Sequence, residues 1–236
     1  MERVVLTRLH LSASALKYLA LLAMTADHIA VICRPVPGFR AFGNLAFPLF
    51  AFLLVEGFFH TRDRRRYERR LLLAAAVSEI PYDLAFSGRW MDAQHQNVCL
   101  TFFLALVAME LLERYGNGIW EKLVLTAVFC TLTEAAGADG GAWGMGLVLA
   151  FYFCVIGNSG TNVPRHIFFH EKTAGVFMKM IAAVLIGAFA WQEPLWVLAL
   201  TAVCLLLYDG YRGRSRFRSF FYIYYPAHLL VLYFLS

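Results

Sequence analysis

AFGNLAFPLFAFLLVEGFFHTRDRRRYERRLLLAAAVSEIPYDLAFS, residues 41–87, decides how the chain is read. Two apolar runs, 41–59 and 71–87, flank a hydrophilic segment with six arginines: Arg62, Arg64, Arg65, Arg66, Arg69 and Arg70. Runs of this length suit helices across a hydrocarbon layer about 30 Å thick, and an arginine-rich loop between two such helices is retained in the cytoplasm. Working outward, further apolar stretches lie at 13–33, 97–113, 119–137, 139–157, 176–192, 194–208 and 220–235, with polar or Gly/Pro punctuation between them. The fifth and sixth are parted only by Gly137-Ala138-Asp139-Gly140, and the seventh and eighth only by Gln192-Glu193-Pro194. Each of these pairs could be a hairpin or one bent element.

Of the 236 residues, 60% are hydrophobic and 16% charged, against roughly 45–50% and about 25% in an ordinary soluble domain. A separate soluble catalytic domain has no room, and 21 Phe, 11 Tyr and 5 Trp are incompatible with disorder. The expectation is a single all-α domain, 1–236: a polytopic integral membrane helical bundle of about nine transmembrane helices. Nine spans place 18 of the 21 Lys and Arg on one side, in the N-terminus, 60–70, 114–122, 158–179 and 209–219, and leave Arg34, Arg40 and Arg89 on the other. The N-terminus is then cytoplasmic and the C-terminus outside. The first stretch follows Arg3, Arg8 and Lys17 but contains Asp27-His28 and lacks a small-x-small cleavage site, so it reads as a span and not as a removed signal. The five cysteines have no metal-like spacing and read as small packing residues.

A charge at mid-membrane costs roughly 2.5–3.5 kcal/mol on insertion scales, so each one needs a partner, a route to the surface or a role. Asp27 and His28 fall in the outer half of the first span, Asp83 in the outer half of the third, and Gln94-His95-Gln96-Asn97 at the outer entrance of the fourth. Asp139 lies at the same face, and His228 near the middle of the last span. Adjacent helical residues point about 100° apart, so Asp27 cannot orient His28; Asp83 or Asp139 is the available carboxylate. Glu79 and Asp83 share a helix face, with Pro81 between them breaking the hydrogen-bond ladder. Each residue also has a plain structural use, as an interhelical hydrogen bond, a core histidine or a proline kink. Glu134 could reach the interface, and Glu56 and His60 are expected to pair with the arginine loop.

The arginines of 60–70 could be topogenic, could hold anionic headgroups, or could form a polyphosphate site. No phosphate-binding loop, zinc-protease or α/β-hydrolase motif is present. Histidines 28, 95 and 228 are too scattered for a metal to be expected. No feature points to nucleic acid.

The run Phe42–Arg62, the following RRYERRLLLAAAVSEIPYDLAF, the Asp27-His28 pair and the closing Phe221-Tyr222-Ile223-Tyr224-Tyr225-Pro226-Ala227-His228-Leu229 resemble the TraX family of membrane proteins. Asn97-Val98 and Thr101 fit the start of its fourth span, and Asp139-Gly140 matches in the middle region. The family is named after a protein that acetylates the N-terminus of F-pilin, and it is similar to a wider group of transmembrane acyltransferases. The resemblance implies a multi-pass protein of a bacterial cytoplasmic membrane that uses acetyl-CoA as co-substrate. The acceptor implied is an amine or hydroxyl, on a protein N-terminus or a small molecule. On this reading Arg62, Arg65, Arg69 and Arg70 hold the phosphates from the cytoplasm, and the pantetheine arm threads between helices. His28 is the general base, Asp83 or Asp139 orients it, and Asn97 or Thr101 serves the oxyanion. Asp27 completes the catalytic set, with Asn44, Glu79, Tyr225 and His228 in the surrounding polar cluster. A transient acetyl-histidine is an alternative route. Two other classes remain, a proton-coupled transporter and an assembly protein without catalysis. A transporter with two inverted halves fits poorly with nine spans.

Overall fold

A computed structural model describes residues 11–156, 195–211, 213 and 220–236. The expected stretch at 176–192, the loop 158–179 and Arg212, Arg214, Arg216 and Arg218 lie outside the described residues. Among the described residues every extended element is helical. In chain order they are α1 (Ala13–His28), a π-helical segment (Ile29–Cys33), α2 (Phe39–Gly43), α3 (Ala46–His60) and α4 (Arg64–Ser87). Then come α5 (Val98–Tyr115), α6 (Ile119–Ala135), α7 (Gly141–Ile156), α8 (Leu195–Leu207) and α9 (Phe220–Leu235).

The fifth and sixth stretches are thus two helices, α6 and α7, packed as a hairpin through a glycine-rich turn. Local chemistry sets many of the ends. Ser12 caps α1 by accepting from the Ala15 amide, Asp63 caps α4 through the Arg66 amide, and Asn97 caps α5 through the Cys99 amide. Pro81 has no N–H to give the ladder, and α4 nevertheless continues through it to Ser87. Proline inside such a helix is tolerated where neighbouring helices enclose the freed backbone, and Pro81 is buried.

The helices pack as a bundle in which α3 lies against α1 and α7, α5 against α4, α6 and α7, and α9 along α4. Small residues line the closest approaches, with Ala20 and Ala23 of α1, Ala51 of α3, and Ala105 and Ala108 of α5 fully buried. Leu16, Leu49, Met109, Met145 and Phe151 fill the space between them. The outward faces are apolar as well. Leu73 and Val77 of α4, Trp120 and Val124 of α6, and Ile223 and Phe234 of α9 are each more than half exposed. So much outward apolar surface belongs against lipid.

Two helical stretches, Ala13–Cys33 and Phe39–His60, are long and apolar enough to cross a bilayer. Among the described residues the other helices are shorter or more polar, so of the expected nine or so transmembrane helices these two stand out by length and apolarity. α4 is long but carries Glu79 and Asp83 beyond its arginines, and α5 ends in Glu110, Glu113 and Arg114. α7 and α9 are apolar with 16 residues each, about 24 Å at 1.5 Å per residue.

The connections gather at two ends. At one, Leu11 pairs with Tyr208 as an isolated bridge and Arg64 pairs with Glu113. At the other, Gln96 pairs with Ala138, so that the 88–97 loop and the α6–α7 turn are joined by Gln96 N–H to Gly137 carbonyl (2.9 Å) and Asp139 N–H to Gln96 carbonyl (2.8 Å). Gly137 adopts φ +63°, and a Cβ there would sit 1.9 Å from the Gln94 carbonyl oxygen, so the junction requires glycine. None of the five cysteines is in a disulfide, and Cys99, Cys154 and Cys204 are buried.

Candidate active site

The first span does not continue as a regular helix. After His28 the hydrogen bonding widens to a π-helical turn, and the Arg34 amide reaches the Ile29 carbonyl at 3.2 Å. Nothing in Ile29-Ala30-Val31-Ile32-Cys33 signals this; such turns occur where a helix must re-aim side chains, frequently at functional sites.

His28 is buried, and its Nδ1 lies 2.8 Å from Nε2 of His228 on α9. The two rings are nearly parallel, 7° apart in plane with centroids at 5.0 Å. His228 Nδ1 lies 2.9 Å from the Tyr224 carbonyl, and the Tyr224 ring stacks on His228 at 9°. The Tyr224 hydroxyl meets Thr25 Oγ1 at 2.8 Å, tying α9 back to α1. Phe86 of α4 closes another side of the His28 ring, edge-on at 5.2 Å. Tyr225 flanks both histidines, at 6.4 Å from the His28 centroid and 5.6 Å from that of His228.

The expected carboxylate partner of His28 is therefore replaced by a second imidazole. Asp83 accepts the Asp92 amide at 2.8 Å. Asp139 lies in the α6–α7 turn, where its backbone carbonyl accepts from the Thr101 hydroxyl at 2.6 Å. Asp27 binds Arg40 at 2.9 Å. Arg40 is not among the expected site residues, although an arginine against the charge bias of its side of the chain is itself a signal.

The Asn97 amide nitrogen is likewise committed. It donates to the Ala75 carbonyl at 2.9 Å and to Glu79 Oε2, while the Asn97 backbone amide reaches the same oxygen at 3.4 Å. With the Thr101 hydroxyl also spent, neither expected oxyanion donor is presented to a reacting carbonyl. Asn44 closes α2. His95 sits on the exposed loop against Asp92 and not with the other two histidines. The sequence-level cluster thus resolves into separate pairs, of which one unites two imidazoles.

The loop carboxylate Asp92 has a pKa below the usual range because the Gln94 amide and then the His95 ring donate to its charged form. Glu134 is exposed, and its carboxylate accepts the Ala142 amide at 2.8 Å at the start of α7. Glu56 accepts the Tyr208 hydroxyl beyond α8.

A mostly apolar cavity of about 170 Å³ runs between α1, α3, α4, α5 and α9. At one end it is bounded by Lys17 and Tyr67, and farther along by Met24, Cys99 and Tyr225. Met24 lies one helical turn before His28, and Tyr225 is the ring that flanks both histidines. Tyr67, Leu71 and Ala74 form its α4 wall, and Arg70 shares that face because positions i, i+3, i+4 and i+7 align on a helix. Arg62, Arg65, Arg69 and Arg70 are all exposed. The Arg69 Nε donates to the Arg65 carbonyl at 3.3 Å, while Arg64 is taken by Glu113 and the Phe58 ring.

Taken together, an all-helical bundle with lipid-compatible surfaces and a buried histidine pair beside an apolar cavity defines a membrane-associated helical protein with a candidate acid–base site. The family of TraX proteins matches residues 12–236, and the chain belongs to that family. It is also 29% identical over 247 aligned positions, covering 94% of both chains, to the probable fimbrial assembly protein FimC, serogroup H1, of Dichelobacter nodosus. No solved structure matches the chain.

Proposed function

We propose that this protein is a multi-pass acetyltransferase of a bacterial cytoplasmic membrane, moving an acetyl group from acetyl-CoA to an acceptor at the end of the bundle that carries His28. The observation that carries this reading is the cavity, which links the arginine-bearing end, through Lys17 and Tyr67, to Tyr225 beside the histidine pair. A narrow apolar passage suits a pantetheine arm, and exposed arginines suit the phosphates that remain outside.

In this mechanism the thioester carbonyl arrives beside Tyr225, whose hydroxyl is the donor for the developing oxyanion in place of Asn97 and Thr101. His28 accepts a proton from the acceptor as its nitrogen or oxygen attacks the carbonyl carbon. The carbon–sulfur bond then breaks, and coenzyme A leaves as the thiol after taking up that proton. Burial excludes the water that would otherwise hydrolyse the thioester. The name of the fimbrial relative supports a pilin-type subunit, and hence a polypeptide amine, as acceptor.

Thermal unfolding of the detergent-purified protein with and without acetyl-CoA, combined with measurement of thiol release, tests the proposal. Specific stabilisation by acetyl-CoA, with release by wild type and none by His28→Ala, is the expected result. A folded protein indifferent to every acyl-CoA would remove the donor and leave transport or non-catalytic assembly as the function.

A further inference from the structure

The hydrogen bonds around the histidine pair fix where its protons sit, and so which ring nitrogen is free to act. A backbone carbonyl only accepts. The 2.9 Å contact of His228 Nδ1 with the Tyr224 carbonyl therefore places a proton on that nitrogen. In neutral His228 the other nitrogen, Nε2, is then a lone pair. At 2.8 Å it faces Nδ1 of His28, which must donate. Neutral His28 consequently carries its proton on Nδ1, and its own lone pair is on Nε2.

From this chain of three groups we infer that His228 is the positioning residue of the site: it selects the His28 tautomer whose Nε2 takes the acceptor's proton. The inference rests on the acyl-transfer reading only for its kinetic consequence; the tautomer follows from the contacts alone. Unlike a carboxylate orienter, His228 adds no negative charge to the membrane interior, where an unpaired carboxylate is costly. When His28 gains a proton at Nε2, its Nδ1 proton can pass to Nε2 of His228. The positive charge then lies on an imidazolium whose Nδ1–H is already held by the Tyr224 carbonyl. When the leaving thiolate takes its proton from His28 Nε2, the Nδ1 proton returns and both rings are neutral again.

The stacking of Tyr224 on His228 and the Thr25–Tyr224 hydrogen bond keep this line of groups in register between α1 and α9. Among the described residues, the titratable and charged groups around the pair are Tyr224 and Tyr225 of α9, Asp27 of α1 with its ion partner Arg40 of α2, and, against Tyr225, Tyr82 of α4, Cys99 of α5 and Asp139 of the α6–α7 turn. From α4 the immediate contact is the apolar Phe86 ring.

Two variants and one spectroscopic readout test the assignment. In His228→Gln the side-chain carbonyl can take the place of Nε2 as acceptor, whereas in His228→Phe the ring is kept and the acceptor is lost. Nitrogen-15 spectra of imidazole-labelled protein in detergent should show His28 protonated at Nδ1 in wild type and His228→Gln, and displaced toward the Nε2-protonated form in His228→Phe. Turnover should survive within about tenfold in His228→Gln. In His228→Phe it should fall by about 10²-fold or more in kcat, with KM for acetyl-CoA little changed, as when a base loses its orienting partner. The pH profile of kcat should also move between the two variants. A His28 protonated at Nε2 in wild type overturns the inference, as does equal kcat in both variants at matched thermal stability. The stated tautomer together with turnover indifferent to His28→Ala would uphold the hydrogen-bonded pair and overturn the acyl-transfer reading on its own.

Discussion

Arg40 reaches across the corner between α1 and α2 to bind Asp27 at 2.9 Å, and Gly43, three residues further along α2, lies against the same aspartate. The ion pair and the glycine act together, because only a residue without a side chain lets α2 come close enough for the arginine to reach. They hold the end of α1 at His28, immediately before the π-helical turn that follows it.

A Cβ at position 43 would lie 2.3 Å from the Asp27 Cβ and 2.9 Å from its Cα. Gly43→Ala is therefore expected to destabilise the protein by about 1–3 kcal/mol through overpacking. Gly146→Ala, on α7 where nothing lies within 4 Å of the added carbon, provides the comparison. It should be neutral or slightly stabilising, since alanine is the better helix former. Thermal unfolding of both variants in one detergent measures the difference.

Asn97 is fully buried and serves as cap to α5, donor to the Ala75 carbonyl and donor to Glu79. Its truncation to alanine removes a cap and the side-chain donor to the Ala75 carbonyl and to the half-buried Glu79 carboxylate, for an expected loss of about 2 kcal/mol. Asn97→Asp retains the cap oxygen but sets a carboxylate against Glu79. Its instability should be relieved as pH falls through the carboxylate range, whereas that of Asn97→Ala should not. Unfolding followed at several pH values separates the two.

Asp92 lies outside the helices, with a pKa below its ordinary value because the Gln94 amide and the His95 ring donate to it. A depressed carboxylate pKa gives stability that is present above the unfolded value, about 3.9, and is lost as pH falls through the lower folded value. Acidification into that window should release the 88–97 loop from the α6–α7 turn. Amide exchange at Gln94 and Gln96, corrected for its intrinsic pH dependence, should accelerate there in wild type. In Asp92→Asn it should already be fast at neutral pH.

Only Arg70 among the four expected phosphate-binding arginines shares the helix face that walls the cavity. Arg70→Glu should weaken acetyl-CoA binding more than Arg65→Glu or Arg69→Glu, most visibly at low salt, where screening is least. Binding titrations at two ionic strengths check this. Equal losses in all three variants would mean a diffuse surface potential and not a site built on the cavity wall.

Hydropathy alone divides the chain into segments, and the apolar length of 13–33 and 41–59 is what lets the helices there meet the requirements of a bilayer crossing. Those features are local: apolar length, capping residues and arginine runs are written in consecutive positions. Asp27, His28, Glu79, Asp83 and His228 could likewise be singled out, because an ionisable residue within an apolar stretch is conspicuous wherever it occurs. Their partners could not. His28 meets a residue 200 positions away, and whether it finds Asp83, Asp139 or His228 depends on how α9 packs along α4 and on a π-helical turn with no sequence signal. The same holds for Asn97, whose amide is available or spent according to where α4 places Glu79 and Ala75. Sequence thus determined which groups had to be accommodated in an apolar interior. Tertiary packing decided their pairing, because a buried hydrogen bond is set by direction and by distances of about 3 Å, and these arise only when separate helices are brought together.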